Sequence, residues 1–446
     1  MTLMKWAATA AVVAMTALVS GCGGGGSGGS NADIRLINAS VGYSTLDLTV
    51  NGNAVGTGVA YGAASNYSNQ NVNNTTATIA NNGTTVLAPT MSSVSCPSRC
   101  SLVAYGWNGS IARTIIQENR DQPAAGTSTL YLLNLAPDAG SLDFYLTASP
   151  TAALTTPVAC SVAGGTGAVT VQTIGSGTGN YTLTVTGAGQ PTDVRLQVPS
   201  VSLPALQTAT FIVTATSGGT LVNGMIAIQN GAVTNYLGTG ARLRVVSGIT
   251  GVNSTTPSNV GAYRNSLTLL DPALISPAIG DYTTVPPGSD PVTVNVNGAP
   301  LTLSSQAVQT PLVSGGDYTL LLWGTPGNVQ SKLIADDNRL PTTAGTAKFR
   351  LTNALTNQPG GLNLAVNFSP LVTNVLPGFT GVPAQPLAVS SVSVDLQVQG
   401  GSQVLYDVPT LTVQQGNVYE VMMLGDLTTK NAQGQGQYIT QLRTAR

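Results

Sequence analysis

Ile115-Ile116-Gln117-Glu118-Asn119-Arg120 is followed by Pro123-Ala124-Ala125-Gly126-Thr127 and then by Leu130-Tyr131-Leu132-Leu133-Asn134. The same pattern returns far downstream as Leu333-Ile334-Ala335-Asp336-Asp337-Asn338-Arg339, Pro341-Thr342-Thr343-Ala344-Gly345-Thr346 and Phe349-Arg350-Leu351-Thr352-Asn353. Asn119, Gly126 and Asn134 fall on Asn338, Gly345 and Asn353 at one constant offset. A repeat of this kind sets the size of the folding unit before any local reading does. A Trp ends the segment ahead of each copy: Trp107 after Val103 and Tyr105, Trp323 after Leu321. The unit ends match as well, with Leu203, Gln207, Phe211 and Val213 falling on Leu411, Gln415, Tyr419 and Val421.

Working outward, helix signals are scarce and apolar residues alternate with polar ones. Ile34 to Asn38, Leu46 to Val50, Tyr181 to Val185 and Val292 to Val296 all have period two. Asn51-Gly52 and Asn297-Gly298 follow two of them, and Asn-Gly is a favoured hairpin turn because both positions tolerate positive φ. Short strands at this spacing predict an all-β chain of sandwiches or barrels. Four opening strands begin at Ile34, Leu130, Arg242 and Phe349. They divide the chain into β-sandwich units at 32–125, 126–238, 239–344 and 345–446, each within the ordinary domain range. The third carries an insertion at about Val252 to Pro291, expected as a loop or a short helix near Asn265 to Leu274.

Only 7% of the 446 residues are charged, where an average soluble chain has about 25%. Lys and Arg number 16 and Asp and Glu 17, so nucleic-acid binding has no electrostatic footprint. There is no histidine. Ser-His-Asp and Cys-His chemistry and His-ligated metals are therefore excluded. The solvent face must be built from Thr, Ser, Asn, Gln and Gly. Uncharged strand edges of that kind invite pairing, so self-association is an expected property.

The N-terminus reads as an address. One positive charge within residues 1–5 precedes an apolar run, Trp6 to Val19. That run is too short to span a hydrocarbon core but has the length of a signal-peptide core. Leu18-Val19-Ser20-Gly21-Cys22 resembles the bacterial lipobox, in which the cysteine is acylated. Residues 1–21 are thus expected to be a lipoprotein signal peptide. Residues 22–31, the acylated Cys22 and a Gly/Ser tether, follow as a flexible coil. Multiple acyl chains would hold the chain on a lipid membrane, since one alone is marginal. In a Gram-negative envelope, Gly23 after the cysteine, rather than Asp, resembles the outer-membrane sorting pattern, with the chain facing the periplasm or the cell surface. In an oxidising envelope Cys96 and Cys100 could close a small disulfide loop. Cys160 is then unpaired, or pairs with one of those two.

The sequences Ile34-Arg35-Leu36-Ile37-Asn38-Ala39-Ser40, Leu46-Asp47-Leu48-Thr49-Val50-Asn51-Gly52, Leu130 to Ala139 and Leu142-Asp143-Phe144-Tyr145 resemble a family of bacterial envelope domains known as domain of unknown function 4397. Members typically have a His where this chain has Asn38 and Asn134. Tandem copies are joined by an acidic Asp-Asp-Asn stretch ahead of a Pro-Ala-Ala-Gly link. The resemblance implies immunoglobulin-like β-sandwiches and an envelope location, and no catalytic residues.

Carboxylate pairs are the one acid/base option left. Asp336 and Asp337 are adjacent, and neighbours on a strand point to opposite faces, which suits a glycosidase pair poorly. Asp and Asn there read more simply as turn-capping residues. Asp336, Asp337 and Asn338, or Glu118, Asn119 and Asp121, could instead offer oxygens to calcium at a junction, though without the spacing of a known calcium loop. Trp107 and Trp323 could stack on sugars, yet aromatics ending alternating strands are normally buried in a sandwich. No metal site or cofactor is expected. The sequence therefore points to a non-enzymatic structural, scaffold or adhesion protein with a protein or glycan partner. A polysaccharide-binding or carbohydrate-active envelope protein is the alternative.

Overall fold

The computed structural model describes residues 31–72, 75–87, 96–165, 169–175, 180–251, 256–264, 267–268, 274–301, 303, 311–358, 360–381, 385–389, 393–430 and 436–444. Residues 1–30, which include Cys22 and the stretches expected as signal peptide and tether, lie outside the described residues.

The described chain is all-β apart from one turn of 3-10 helix at Pro137–Ala139, and its strands make tandem β-sandwiches. The first sandwich shows the plan. One sheet runs Ser68–Asn71, Asn31–Ala39, Arg99–Trp107, Ser110–Gln117; the other runs Asn53–Ala60, Thr45–Val50, Ala77–Asn81, Thr84–Leu87. Alternate residues of both sheets meet in one core, with Ile34, Leu36 and Leu102 against Leu46, Leu48 and Ile79. Three more two-sheet cores follow around Phe144 and Phe211, around Val245 and Leu320, and around Phe349 and Leu396.

In each sandwich the opening strand lies parallel beside a strand from near the unit's end. Asn31–Ala39 pairs with Arg99–Trp107, Thr127–Leu135 with Thr208–Ala215, Ala241–Ile249 with Asp317–Thr325, and Thr346–Thr356 with Val418–Lys430. A polar side chain closes the end of each opening strand. Asn38 donates to Tyr43 O and Val59 O while accepting from Ser40 N; Asn134 donates to Gly140 O and Val162 O while accepting from Ala136 N. Asn353 repeats the arrangement with Val375 O and Leu355 N, and Ser247 stands there in the third sandwich, bonded to Ser276. These fully buried amides tie the opening strand to the facing sheet, because each of their polar atoms needs a partner in the core.

The Asn-Gly hairpins form as expected, with φ of +50° and +81° at Asn51-Gly52 and +53° and +80° at Asn297-Gly298. The turn of the fourth sandwich that matches Asn51-Gly52 is Asn367-Phe368, where Phe368 takes φ +63° and is 73% exposed. The insertion, expected as a loop or a short helix near Asn265 to Leu274, instead carries short strands at Ser258–Arg264, Leu267–Thr268, Leu274–Ser276, Ala278–Ile279 and Thr283–Val285, with its other described residues in the connections between them and before Val292. Residues 265–266 and 269–273 lie outside the described residues. Burial of Ser258, Val260, Ala262 and Arg264 gives Ser258–Arg264 its inner face, a period hidden in the sequence by the neighbouring prolines.

The sandwiches are joined face to face in two pairs. Ile37, Val103, Tyr105 and Ile116 of the first pack on Leu133, Ile212, Met225 and Ala227 of the second. Val246, Leu321 and Ile334 of the third pack on Ala354, Met422 and Leu424 of the fourth. The opening strands are thus buried on both faces, one toward their own core and one toward the neighbour.

Candidate functional site

Ionisable residues enter these two joints on the outer faces of the opening strands. Arg35, only 3% exposed, pairs with Glu118 at 2.7 Å, shares it with Ser101, and donates across the joint to Gly231 O and Ile228 O. Glu118 also accepts from Tyr67 and, at 2.7 Å, from Asn230 N of the second sandwich. The third and fourth sandwiches hold the corresponding cluster. Arg244 takes the place of Arg35, Thr319 that of Ser101, Asp336 that of Glu118 and Tyr282 that of Tyr67. The fourth sandwich adds a second pair: Glu420 accepts from Arg244 at 2.7 Å and from Arg350 at 2.9 Å. Arg350 and Arg244 stand 3.6 and 3.9 Å from Asp336, so two cations face two carboxylates with no water-exposed edge.

Burial pushes Asp336 above the ordinary carboxylate range against the pull of Arg350 and Arg244. Burial opposes ionisation of Glu420 as well. There the charges of Arg350 and Arg244 and their hydrogen bonds outweigh it and hold the carboxyl at about 2. Burial, and then the Asp336 charge, raises the Tyr282 hydroxyl, which donates its proton to Asp336 at 2.7 Å.

The three neighbours expected as one ligand set go to three environments. Asp336 belongs to the buried cluster. Asp337 is held by Arg339 at 2.7 Å and Lys348 at 2.6 Å; burial raises its carboxyl, but those hydrogen bonds outweigh it and the net shift is downward. Asn338 donates to Asp317 at 2.7 Å and to Tyr282 at 3.1 Å. The calcium arrangement considered for them is not what the side chains form, because both carboxylates face cations. Glu118 is likewise engaged by Arg35. Among the described residues, no group of three or more His, Cys, Asp or Glu is arranged to hold a metal ion.

Trp107 and Trp323 are not equivalent, contrary to the sequence pairing. Gly106 and Gly324 are the matched positions, at φ +105° and +109°, each so close to a carbonyl of the next strand that no Cβ fits. Trp107 follows its glycine and Trp323 precedes its own, so Trp323 matches Tyr105 at the joint. The strand pairing runs one residue out of step with the offset of the asparagines, since Asp336-Asp337 fills the place of Glu118 alone. Trp323 packs its ring against Gly378 of the fourth sandwich. Trp107 packs on the second core, donates from Nε1 to Asp138 at 2.9 Å, and has the Arg339 guanidinium 4.6 Å over its ring. Cys96 and Cys100 are bridged at the start of a core strand, with Cα atoms 5.8 Å apart, and Cys160 is free and exposed.

Trp107 and Asp337 do meet. They line a cleft of about 280 Å³ with Asn108, Arg339, Thr342, Thr343 and Lys348, among others. Asp138 of the second sandwich braces it, accepting from Trp107 on one oxygen and from Leu340 N at 2.7 Å on the other. A wider cleft of about 570 Å³ between Gln197 and Thr284 has one ionisable group in its wall, Arg195, which is paired with Asp193. The sequence gives no sign of Asp138, Arg339 or Lys348 as site residues. The visible sign of the joints is an arginine inside an apolar strand, at Arg35, Arg244 and Arg350.

An all-β chain of paired sandwiches, with buried ion pairs set in its joints, is the class this geometry defines. Residues 32–145 match the model of a family described as a domain of unknown function, DUF4397, in agreement with the resemblance read from the opening strands. No curated protein matches the chain. A candidate cell adhesion protein from Bacteroides uniformis ATCC 8492 aligns at 12% identity over 48% of this chain and 99% of its own, with a TM-score of 0.24. The Bacillus anthracis TIE protein aligns at 8% identity over 88% of this chain and 67% of its own, with a TM-score of 0.14. At those scores neither likeness bears on fold or function.

Proposed function

We propose that this chain is a non-enzymatic cell-envelope lipoprotein that serves as an anchored scaffold or adhesion module. The observation that carries the reading is where the perturbed ionisable groups lie. Strongly shifted titrating groups gather at catalytic sites or in structural ion-pair networks. Here Arg244, Asp336, Arg350 and Glu420 hold one another across a joint, with both carboxylates engaged by arginines. Nothing in that arrangement leaves a base or nucleophile facing a substrate. Paired sandwiches hold a binding surface at a fixed distance from the membrane better than a string of independent domains does.

The anchor in this reading is the lipid on Cys22, supported by the signal-peptide pattern ahead of it, and the location is the outer membrane, facing the periplasm or the surface. The partner is a protein or a glycan, and the uncharged strand edges also favour self-association. Cell fractionation beside a Cys22→Ala variant, with protease added to intact cells, tests it. The expected result is a membrane-bound parent and a released variant. Cleavage of the parent on intact cells would assign it to the surface, and protection until permeabilisation to the periplasm. Equal membrane association of parent and variant would overturn the anchor.

A further inference from the structure

We propose that the cleft between Trp107 and the segment from Asp337 to Lys348 binds the carboxylate of an acidic saccharide. This goes beyond the scaffold reading and does not depend on the anchor. The inference comes from counting donors and acceptors in the walls. Every carboxylate oxygen there is already engaged. Asp337 takes Arg339 on one oxygen and Lys348 on the other, and Asp138 takes Trp107 and Leu340 N. Donors are left over. The two terminal amino groups of Arg339 have no partner among the described residues. Lys348 donates to Asp337 and to Arg339 O, leaving one of its three hydrogens. The Asn108 amide oxygen accepts from Tyr43 at 3.2 Å, and its NH₂ adds a further donor to the lining.

A cleft whose charged groups leave donors spare and carboxylate oxygens occupied selects a ligand rich in acceptors. The free edge of Arg339 is a planar fork, which matches a carboxylate with two parallel hydrogen bonds. Its plane is already fixed over the Trp107 ring and by Asp337, so little side-chain freedom remains to be lost on binding. Arg339 and Lys348 balance Asp337 and Asp138 in charge. Recognition would thus rest on directed hydrogen bonds rather than on a general positive field.

The remaining wall favours a sugar over an extended peptide. Thr342 and Thr343 are exposed at the rim and offer hydroxyls. The strand that bears Lys348 is paired on both sides, with Gln385–Ala388 and with Val418–Lys430, so it has no free edge for a peptide strand to join.

Calorimetric titration of the detergent-solubilised full chain with trigalacturonic acid tests the proposal, with maltotriose and triglutamate as comparators. The expected result is saturable one-to-one binding of trigalacturonate, at least about tenfold tighter than either comparator. Arg339→Gln should weaken it about tenfold or more. Because Arg339 also braces Trp107, a second variant, Thr343→Tyr, fills the cleft from an exposed loop position and should weaken binding equally without altering thermal unfolding. The proposal is overturned if trigalacturonate shows no saturable binding, if a folded variant binds as the parent does, or if triglutamate binds as tightly.

Discussion

Replacing Glu420 by Thr should break the joint between the third and fourth sandwiches, and replacing Arg350 by Tyr in the same chain should largely restore it. Glu420 is 1% exposed and takes both Arg244 and Arg350. Without it two buried guanidinium groups face one carboxylate, Asp336, which burial already disfavours as an anion. Breaking a buried pair by removing one partner costs about 3–5 kcal/mol, a large share of a marginal stability. The second sandwich shows how the double variant would be accommodated. In its parallel pair, Tyr131 stands opposite Thr210 in the place where Arg350 stands opposite Glu420. Arg350→Tyr with Glu420→Thr therefore leaves Arg244 with Asp336 alone, as Arg35 is with Glu118. The double variant should recover at least half of the loss. A multi-unit chain does not unfold in one step. The assay is therefore urea unfolding read by hydrogen exchange in peptides covering 346–356 and 241–249. A single-variant cost below about 1 kcal/mol, or a double variant no more stable than the single one, would refute the reasoning.

Three further outcomes follow from the same geometry. Glu420 is depressed from 4.5 to about 2, so its stabilising share is complete above about pH 4.5 and is lost as pH falls toward 2, about 3 kcal/mol in all. Asp336 is raised and acts oppositely, gaining stability as pH falls toward its unfolded value, so acid loosening of this joint sets in only below about pH 4; exchange in 346–356 against pH should show it, and Glu420→Gln should remove it. Phe368→Gly should stabilise the fourth sandwich by about 1 kcal/mol, because a bulky residue at positive φ is strained where the matched turn carries Gly52; a shift of the urea midpoint upward checks it. Trp107→Phe removes the donor to buried Asp138 and should cost about 1–3 kcal/mol at that contact, read as faster exchange of the Leu340 amide.

The sandwiches were legible because most strands bury one face and so alternate, as Leu46-Asp47-Leu48-Thr49-Val50 does. The joints were not. Ile34 and Leu36 enter their own core while Arg35 and Ile37 enter the neighbouring unit, and a strand buried on both faces loses the alternation that would assign its faces. The pairing of Trp107 with Trp323 failed for a local reason, one additional acidic residue at Asp336-Asp337 that moves the asparagines out of step with the hairpin. The cleft was illegible because it is non-local: Trp107, Asp138 and Lys348 come from three sandwiches, and no spacing in the sequence links them. Asn38 and Asn134 could be read as a repeated feature, but their role as buried ties between sheets needs the carbonyls of the facing strands.

The central claim is that sandwiches are fused in pairs, so the most direct measurement cuts one link and asks whether the halves stay together. A protease site placed in the exposed stretch 121–126 of the full chain, cleaved and then run on gel filtration, gives the answer. Fusion through Ile37, Val103, Ile212 and Met225, with Arg35 inserted across the joint, predicts that the two fragments elute together in buffer and part only in denaturant. Fragments that separate in buffer while each remains folded would contradict the account.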